Sequence, residues 1–177
     1  MSFLRYATLD DIPALRELIA QSGRDLSTPY YTAEQIEAIT SHVFGVDTQL
    51  ILDQTYFLIE SEKKLVACGG WSKRYTLFGG DQAKTEPDRL LDPATEPARI
   101  RAFFVHPSMA RQGMGRQLMS ACINDAQAAG FSTLELVSTL PGEPLYLATG
   151  FAPIERFELK LPGAVQVPVV LMRRPIS

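Results

Sequence analysis

Residues 98–137 constrain the fold of this chain more than any other stretch. Positions 98–105 form an apolar, aromatic run that stops abruptly at His106-Pro107. From Gly113 to Ala129 the residues Leu118, Met119, Cys122, Ile123 and Ala126 share one helical face, and Thr133-Leu134-Glu135-Leu136-Val137 returns to strand composition. Two strands joined through a helix lie parallel, and such a crossover is right-handed. The chain is therefore expected to be α/β, with one parallel strand pair in its sheet.

The flanking segments predict antiparallel neighbours. Phe3-Leu4-Arg5-Tyr6-Ala7 alternates like a strand, and Ile12, Leu15, Leu18 and Ile19 then mark a helix over about 10–21 with Gly23 as its stop. Thr32 followed by Gln35 is a capping-box arrangement, and Ile36, Ile39 and Val43 extend it into a helix near 33–44. Two β-prone runs, 56–60 and 65–73, surround a polar turn and read as a hairpin. Residues 75–96 are rich in Gly, Pro and Asp without a sustained period and read as a long loop; loops of this length are often functional, with disorder as the alternative. A short helix at 143–149 ends at Gly150, and the runs 151–161 and 165–172 around Pro162-Gly163 form a terminal hairpin. Hairpins plus one crossover give a mixed, largely antiparallel sheet.

With 177 residues the chain has the length of one domain, 1–177, and its 46% hydrophobic and 21% charged residues are those of an ordinary globular protein. A formal net charge of −3 supplies no basic field for nucleic acid. No stretch is long and apolar enough for a membrane span, and the start lacks a signal-peptide pattern, so a cytoplasmic protein is expected. Cys68 and Cys122 sit in apolar surroundings that suit buried thiols, and neither His42 nor His106 has partners at metal-ligand spacing. No metal is expected.

Between the strand and the helix lies Ala110-Arg111-Gln112-Gly113-Met114-Gly115-Arg116. Two glycines let the backbone approach a ligand closely, the helix start presents N–H groups and partial positive charge, and Arg111 and Arg116 add cations. The ligand should carry phosphate. Gly115-Arg116-Gln117 lacks the Gly-Lys-Ser/Thr ending of a Walker loop, and the dinucleotide fingerprint Gly-x-Gly-x-x-Gly does not fit either.

The loop resembles the signature Gln/Arg-x-x-Gly-x-Gly/Ala of the GNAT acyltransferases, through Gly113 and Gly115, with Ala110 departing from the first position. The likeness extends over nearly the whole chain, including Phe103-Phe104-Val105-His106-Pro107 before the signature and Leu145-Tyr146-Leu147-Ala148-Thr149-Gly150-Phe151 after it. It implies a GNAT-like sheet with helices on both faces and a splayed crevice for acyl-coenzyme A. Acetyl-CoA would be the cosubstrate, with its pyrophosphate on Arg111, Gln112, Gly113, Met114, Gly115 and Arg116 and its pantetheine arm along the backbone of Phe103, Phe104 and Val105.

Acetyl transfer to a primary amine needs a neutral nucleophile and a proton for the departing thiolate. The resemblance points to Tyr146 as the proton donor and to Glu135, in a position used by some ribosomal-protein N-terminal acetyltransferases, as a water-linked base. His106 is a further relay candidate. Trp71, Tyr75, Phe78 and Asp81 would face the acceptor, a small-molecule or protein amine. An asparagine frequent in the family before the tyrosine is replaced here by Ser138-Thr139-Leu140-Pro141-Gly142. The rival readings are a non-catalytic acyl-CoA sensor and an interaction module on the same fold. A homodimer is the default oligomer.

Overall fold

Local alternation assigns each strand two faces, and the computed structural model, which describes all residues Met1–Ser177, shows what covers them. In β2 (Tyr56–Ser61), Tyr56 and Leu58 point to one side and Phe57 and Ile59 to the other. The first side packs on α1 (Ile12–Ser27) and α3 (Thr48–Leu52) through Leu15, Leu18, Ile19, Leu50 and Ile51. The second packs on α4 (Met114–Ala128) through Leu118, Met119 and Cys122. Fully burying a side chain of this size contributes about 1.5–3 kcal/mol, so both layers are held firmly.

The seven strands run in the order β1-β2-β3-β4-β5-β7-β6. β1 is Ser2–Tyr6, β3 Lys64–Ser72, β4 Ala98–Val105, β5 Thr133–Thr139, β6 Ala152–Leu161 and β7 Val165–Pro175. Every pairing is antiparallel except β4 with β5. The expected mixed sheet and the 98–137 crossover are present. α2 (Ala33–His42) covers β6 and β7 on the α1 side, and α5 (Glu143–Ala148) lies on the α4 side, so helices flank both faces. The β2–β3 turn is carried by Glu62 and Lys63, both with positive φ, the geometry that a two-residue hairpin turn requires.

The structure corrects one expectation and adds two details. α1 does not stop near Gln21 but continues through Gly23 to Ser27. Gly23 is a packing residue: a Cβ there would stand 2.5 Å from the Phe44 ring, so tertiary contact overrides the stop signal. α3 was not visible in sequence, because a five-residue helix is too short for a period; Asp47 caps it through the Gln49 amide. The 75–96 segment is not free of pairing, since Arg74 bridges Leu90 and the Leu91 amide donates to Lys73 at 2.8 Å, closing the loop at its base. No helix is long and apolar enough to cross a membrane.

Candidate active site

β4 leaves its parallel partner almost at once. It pairs with β5 only at Ala98/Leu134 and Arg99/Glu135, after which the strands splay. The cause is a bulge on the other edge of β4, where Ala102 and Phe103 oppose the single residue Gly69. Ala102 takes φ +53°, a left-handed conformation that costs an alanine about 1–2 kcal/mol. The Tyr56 hydroxyl donates to the Ala102 carbonyl at 2.7 Å and holds the bulge from the α1 side. Gly69 makes it sterically feasible, since a Cβ there would be 2.5 Å from Phe103. A Gly69→Val variant should push Phe103 into the crevice, lose roughly 1–3 kcal/mol by overpacking, and bind cofactor less tightly; thermal melts and calorimetry read both.

The splay opens a cavity of about 670 Å³ that passes through the sheet. On the α4 side it is lined by Phe103, Val105, Met109, Arg111, Gly113 and Tyr146, and on the α1 side by Ser22, Asp25, Phe44, Phe78, Arg101 and Phe104. Successive β4 side chains serve the two halves, with Phe103 and Val105 against the α4 layer and Ala102 and Phe104 against the α1 layer.

The α4 start is built as the sequence suggested. Gly113 is its N-cap with φ +85° and no side-chain cap, so the first-turn amides have no side-chain acceptor, and nothing lies within 4 Å of where its Cβ would be. Arg111 also has positive φ, at 62°. Gly115 has a different role: a Cβ would be 2.7 Å from Leu145, so α4 and α5 meet there. Arg116 reinforces that contact by donating to the Ala148 carbonyl at 3.3 Å. Met114 is buried beneath the loop. The Gln112 side chain turns back to the Ser108 carbonyl and is the one loop residue of 111–116 that does not line the cavity.

Tyr146 comes to the crevice from α5. Its ring packs against Phe103 at 6.1 Å and Phe151 at 5.8 Å, and it is 8% exposed, yet its hydroxyl has no hydrogen-bond partner within the protein. Burial pushes this phenol above the usual tyrosine range, so it keeps its proton at neutral pH. His106 sits at the β4 exit, where Nδ1 accepts from the Ser108 amide at 3.1 Å, and it is outside the cavity lining.

Glu135 is not brought to the crevice. It lies at the closed base of the β4–β5 splay, where Arg173 Nη2 approaches at 2.6 Å and Arg99 Nη1 at 3.5 Å, and it does not line the cavity. Alternation explains this placement: Leu134 and Leu136 face the α4 core, so Glu135 faces the opposite side and needs cations. Both carboxylate oxygens are taken up by guanidiniums, and neither reaches the crevice. Glu135→Gln should leave turnover per folded enzyme unchanged while costing roughly 3 kcal/mol of stability, because Arg99 is left buried without its counter-charge. Differential scanning calorimetry beside an acetyl-transfer assay separates the two.

Of the residues expected to face an acceptor, only Phe78 lines the cavity. Trp71 is buried in the α4 core with Nε1 3.4 Å from Asp125, the Arg89 and Arg99 guanidiniums lie over the Tyr75 ring, and Asp81 accepts from the Thr48 amide. The 75–96 loop is anchored by Arg101, buried in a 3.0 Å ion pair with Asp47 and donating to the carbonyls of Thr76 and Gly79; Lys84 reaches Asp47 at 2.6 Å. Leu77, Phe78 and Gly79 thereby become a cavity wall. Ser22, Asp25 and Tyr30 were missed, since nothing in a local pattern says which tertiary gap the end of a helix and the turn after it will border. The Gly69-Gly70 pair inside a strand was a legible signal for a close approach.

Comparison with solved structures gives the same fold. A GCN5-related N-acetyltransferase from Rhodopseudomonas palustris superposes with a TM-score of 0.73 at 16% identity, covering 99% of this chain and 96% of that one. PaiA N-acetyltransferase from Thermoplasma acidophilum, solved in complex with coenzyme A, gives 0.66 at 11% identity over 99% of both chains. The ribosomal-protein-S18-alanine N-acetyltransferase from Escherichia coli gives 0.61 at 17% identity, covering 100% of this chain and 95% of that one. No curated protein sequence matches the chain. The sequence model of the acetyltransferase (GNAT) family does match, over residues 14–151, which include the splayed strands, the Gly113 loop and the Tyr146 helix. By that match and by its fold, the chain belongs to the GNAT acetyltransferase family.

Proposed function

We propose that the chain moves an acetyl group from acetyl-CoA to a primary amine by direct attack. The observation that carries this reading is the cavity itself, lined in one piece by the α4 start, by Tyr146 and by residues on the opposite face of the sheet. The diphosphate binds the first-turn amides at Gly113–Gly115, with Arg111 and Arg116 adding charge. The pantetheine amides pair with the edge of β4 that β5 leaves free beyond Arg99. PaiA carries coenzyme A on the same fold, which supports this assignment.

The amine enters from the α1 side and forms the C–N bond as the C–S bond breaks, with the electron pair passing to sulfur. Tyr146 gives its proton to that thiolate, and the proton lost by nitrogen restores the phenol through water. No histidine, glutamate or lysine lines the cavity, so the nucleophile reaches its neutral form by desolvation among apolar side chains. Placing both reactants in one crevice supplies much of the rate. The test is free-thiol release from acetyl-CoA across a broad panel of primary amines, with calorimetry for cofactor binding. Binding with no release for any amine would indicate the sensor, and no binding the interaction module.

A further inference from the structure

The α1 half of the cavity carries its own chemistry. Ser22, Asp25 and Leu26 stand at helical positions i, i+3 and i+4, so one stripe of α1 borders the cavity with a hydroxyl, a carboxylate and a hydrocarbon side chain. Asp25 is the only carboxylate on the whole lining. Ser22 is 1% exposed, yet its hydroxyl makes no hydrogen bond within the protein and is not enclosed away from the cavity. Buried hydroxyls normally find a partner, so this uncommitted one can exchange a hydrogen bond with a group in the cavity.

Beside that stripe the lining is apolar. Phe44, Leu77 and Phe78 form it, and Phe44 is fixed by an edge-on contact with Phe104 at 5.1 Å and by its seat on Gly23. No free cation faces this half: Arg101 is neutralised by Asp47 and donates to the Thr76 and Gly79 carbonyls, while Arg111 and Arg116 belong to the α4 side. A carboxylate on the acceptor would meet Asp25 and no counter-ion. An ammonium would meet Asp25 and Ser22, and its hydrocarbon body the aromatic wall.

Resting on the acetyltransferase reading, we propose that Asp25 and Ser22 form the amine-recognition subsite, and that the acceptor is a small primary amine with an apolar body and no carboxylate. Asp25 receives the protonated amine at the cavity mouth, where the proton departs to solvent as the nitrogen moves into the apolar interior. Asp25 is thus a positioning residue for the acceptor and has no contact with coenzyme A.

Phenethylamine, hexylamine, phenylalanine and a short unblocked peptide distinguish the alternatives, because phenylalanine adds only a carboxylate to the first. Thiol release should be at least about tenfold more efficient for phenethylamine than for phenylalanine, as expected when one partner meets like charge. Asp25→Asn should raise the KM for phenethylamine about tenfold and narrow its advantage over phenylalanine, with the acetyl-CoA Kd unchanged. Ser22→Ala should raise the same KM without altering the Kd. Equal or better use of phenylalanine or the peptide overturns the proposal, as does an unaltered KM in folded Asp25→Asn. If no amine releases thiol, the acetyltransferase reading falls with it, whereas release with the wrong preference removes this inference alone.

Discussion

Acetyl transfer by a Tyr146→Phe variant should fall on the order of a hundredfold, the usual contribution of a positioned general acid, while acetyl-CoA affinity stays at the wild-type level. The substitution keeps the ring against Phe103 and Phe151 and removes only the hydroxyl. No protein group depends on that hydroxyl, so its loss leaves no buried donor or acceptor unsatisfied, and the variant should melt within about 1 kcal/mol of wild type. That separation makes the test clean. A drop in kcat with an unchanged Kd assigns the proton donor; wild-type turnover would mean that water protonates the thiolate. The pH profile adds a second readout. Because burial holds the phenol above the ordinary tyrosine range, ionisation of Tyr146 should cause no loss of kcat up to about pH 10, where a free tyrosine would already titrate.

Gly113→Asp should weaken acetyl-CoA binding by at least about tenfold, since two unit charges some 4 Å apart repel by about 1–4 kcal/mol at dielectric values between water and a protein surface. The left-handed φ of +85° adds a backbone cost, whereas the space around the missing Cβ is open. Gly113→Ala separates these contributions: it carries the strain without the charge and should lose affinity far less. Titration calorimetry, with circular dichroism to verify folding, gives the comparison. Equal affinity in folded Gly113→Asp and wild type would move the diphosphate elsewhere. Gly115 is less suitable for this purpose, because a side chain there meets the Leu145 methyls and alters the α4–α5 packing beside Tyr146.

The elements with strong local signals were legible. Apolar periodicity announced α4 and its flanking strands, the capping box at Thr32 and Gln35 is formed, and the crossover rule made β4 and β5 parallel. The glycine loop was legible for the same reason: a backbone site at a helix start is encoded by residues adjacent in sequence. Glu135 was not, because its position on β5 says only that it faces away from Leu134 and Leu136. Which cations would meet it depended on Arg99 and Arg173, 36 and 38 residues away.

What the sequence by itself determined is therefore everything governed by short-range patterns: the α/β class, most element boundaries, the phosphate-type loop and the resemblance that located Tyr146. The tertiary structure alone decided how far β4 and β5 separate, since that depends on a bulge seated on Gly69 and tied to the Tyr56 hydroxyl from a different strand. It also decided that Gly23 packs rather than terminates, that Arg101 and Asp47 pin the 75–96 loop into a wall, and that Ser22 and Asp25 border the cavity. Each of these is a contact between segments remote in sequence. Local propensity reports the cost of a conformation at one residue, whereas a cavity is set by which distant surfaces approach and where their side chains leave space.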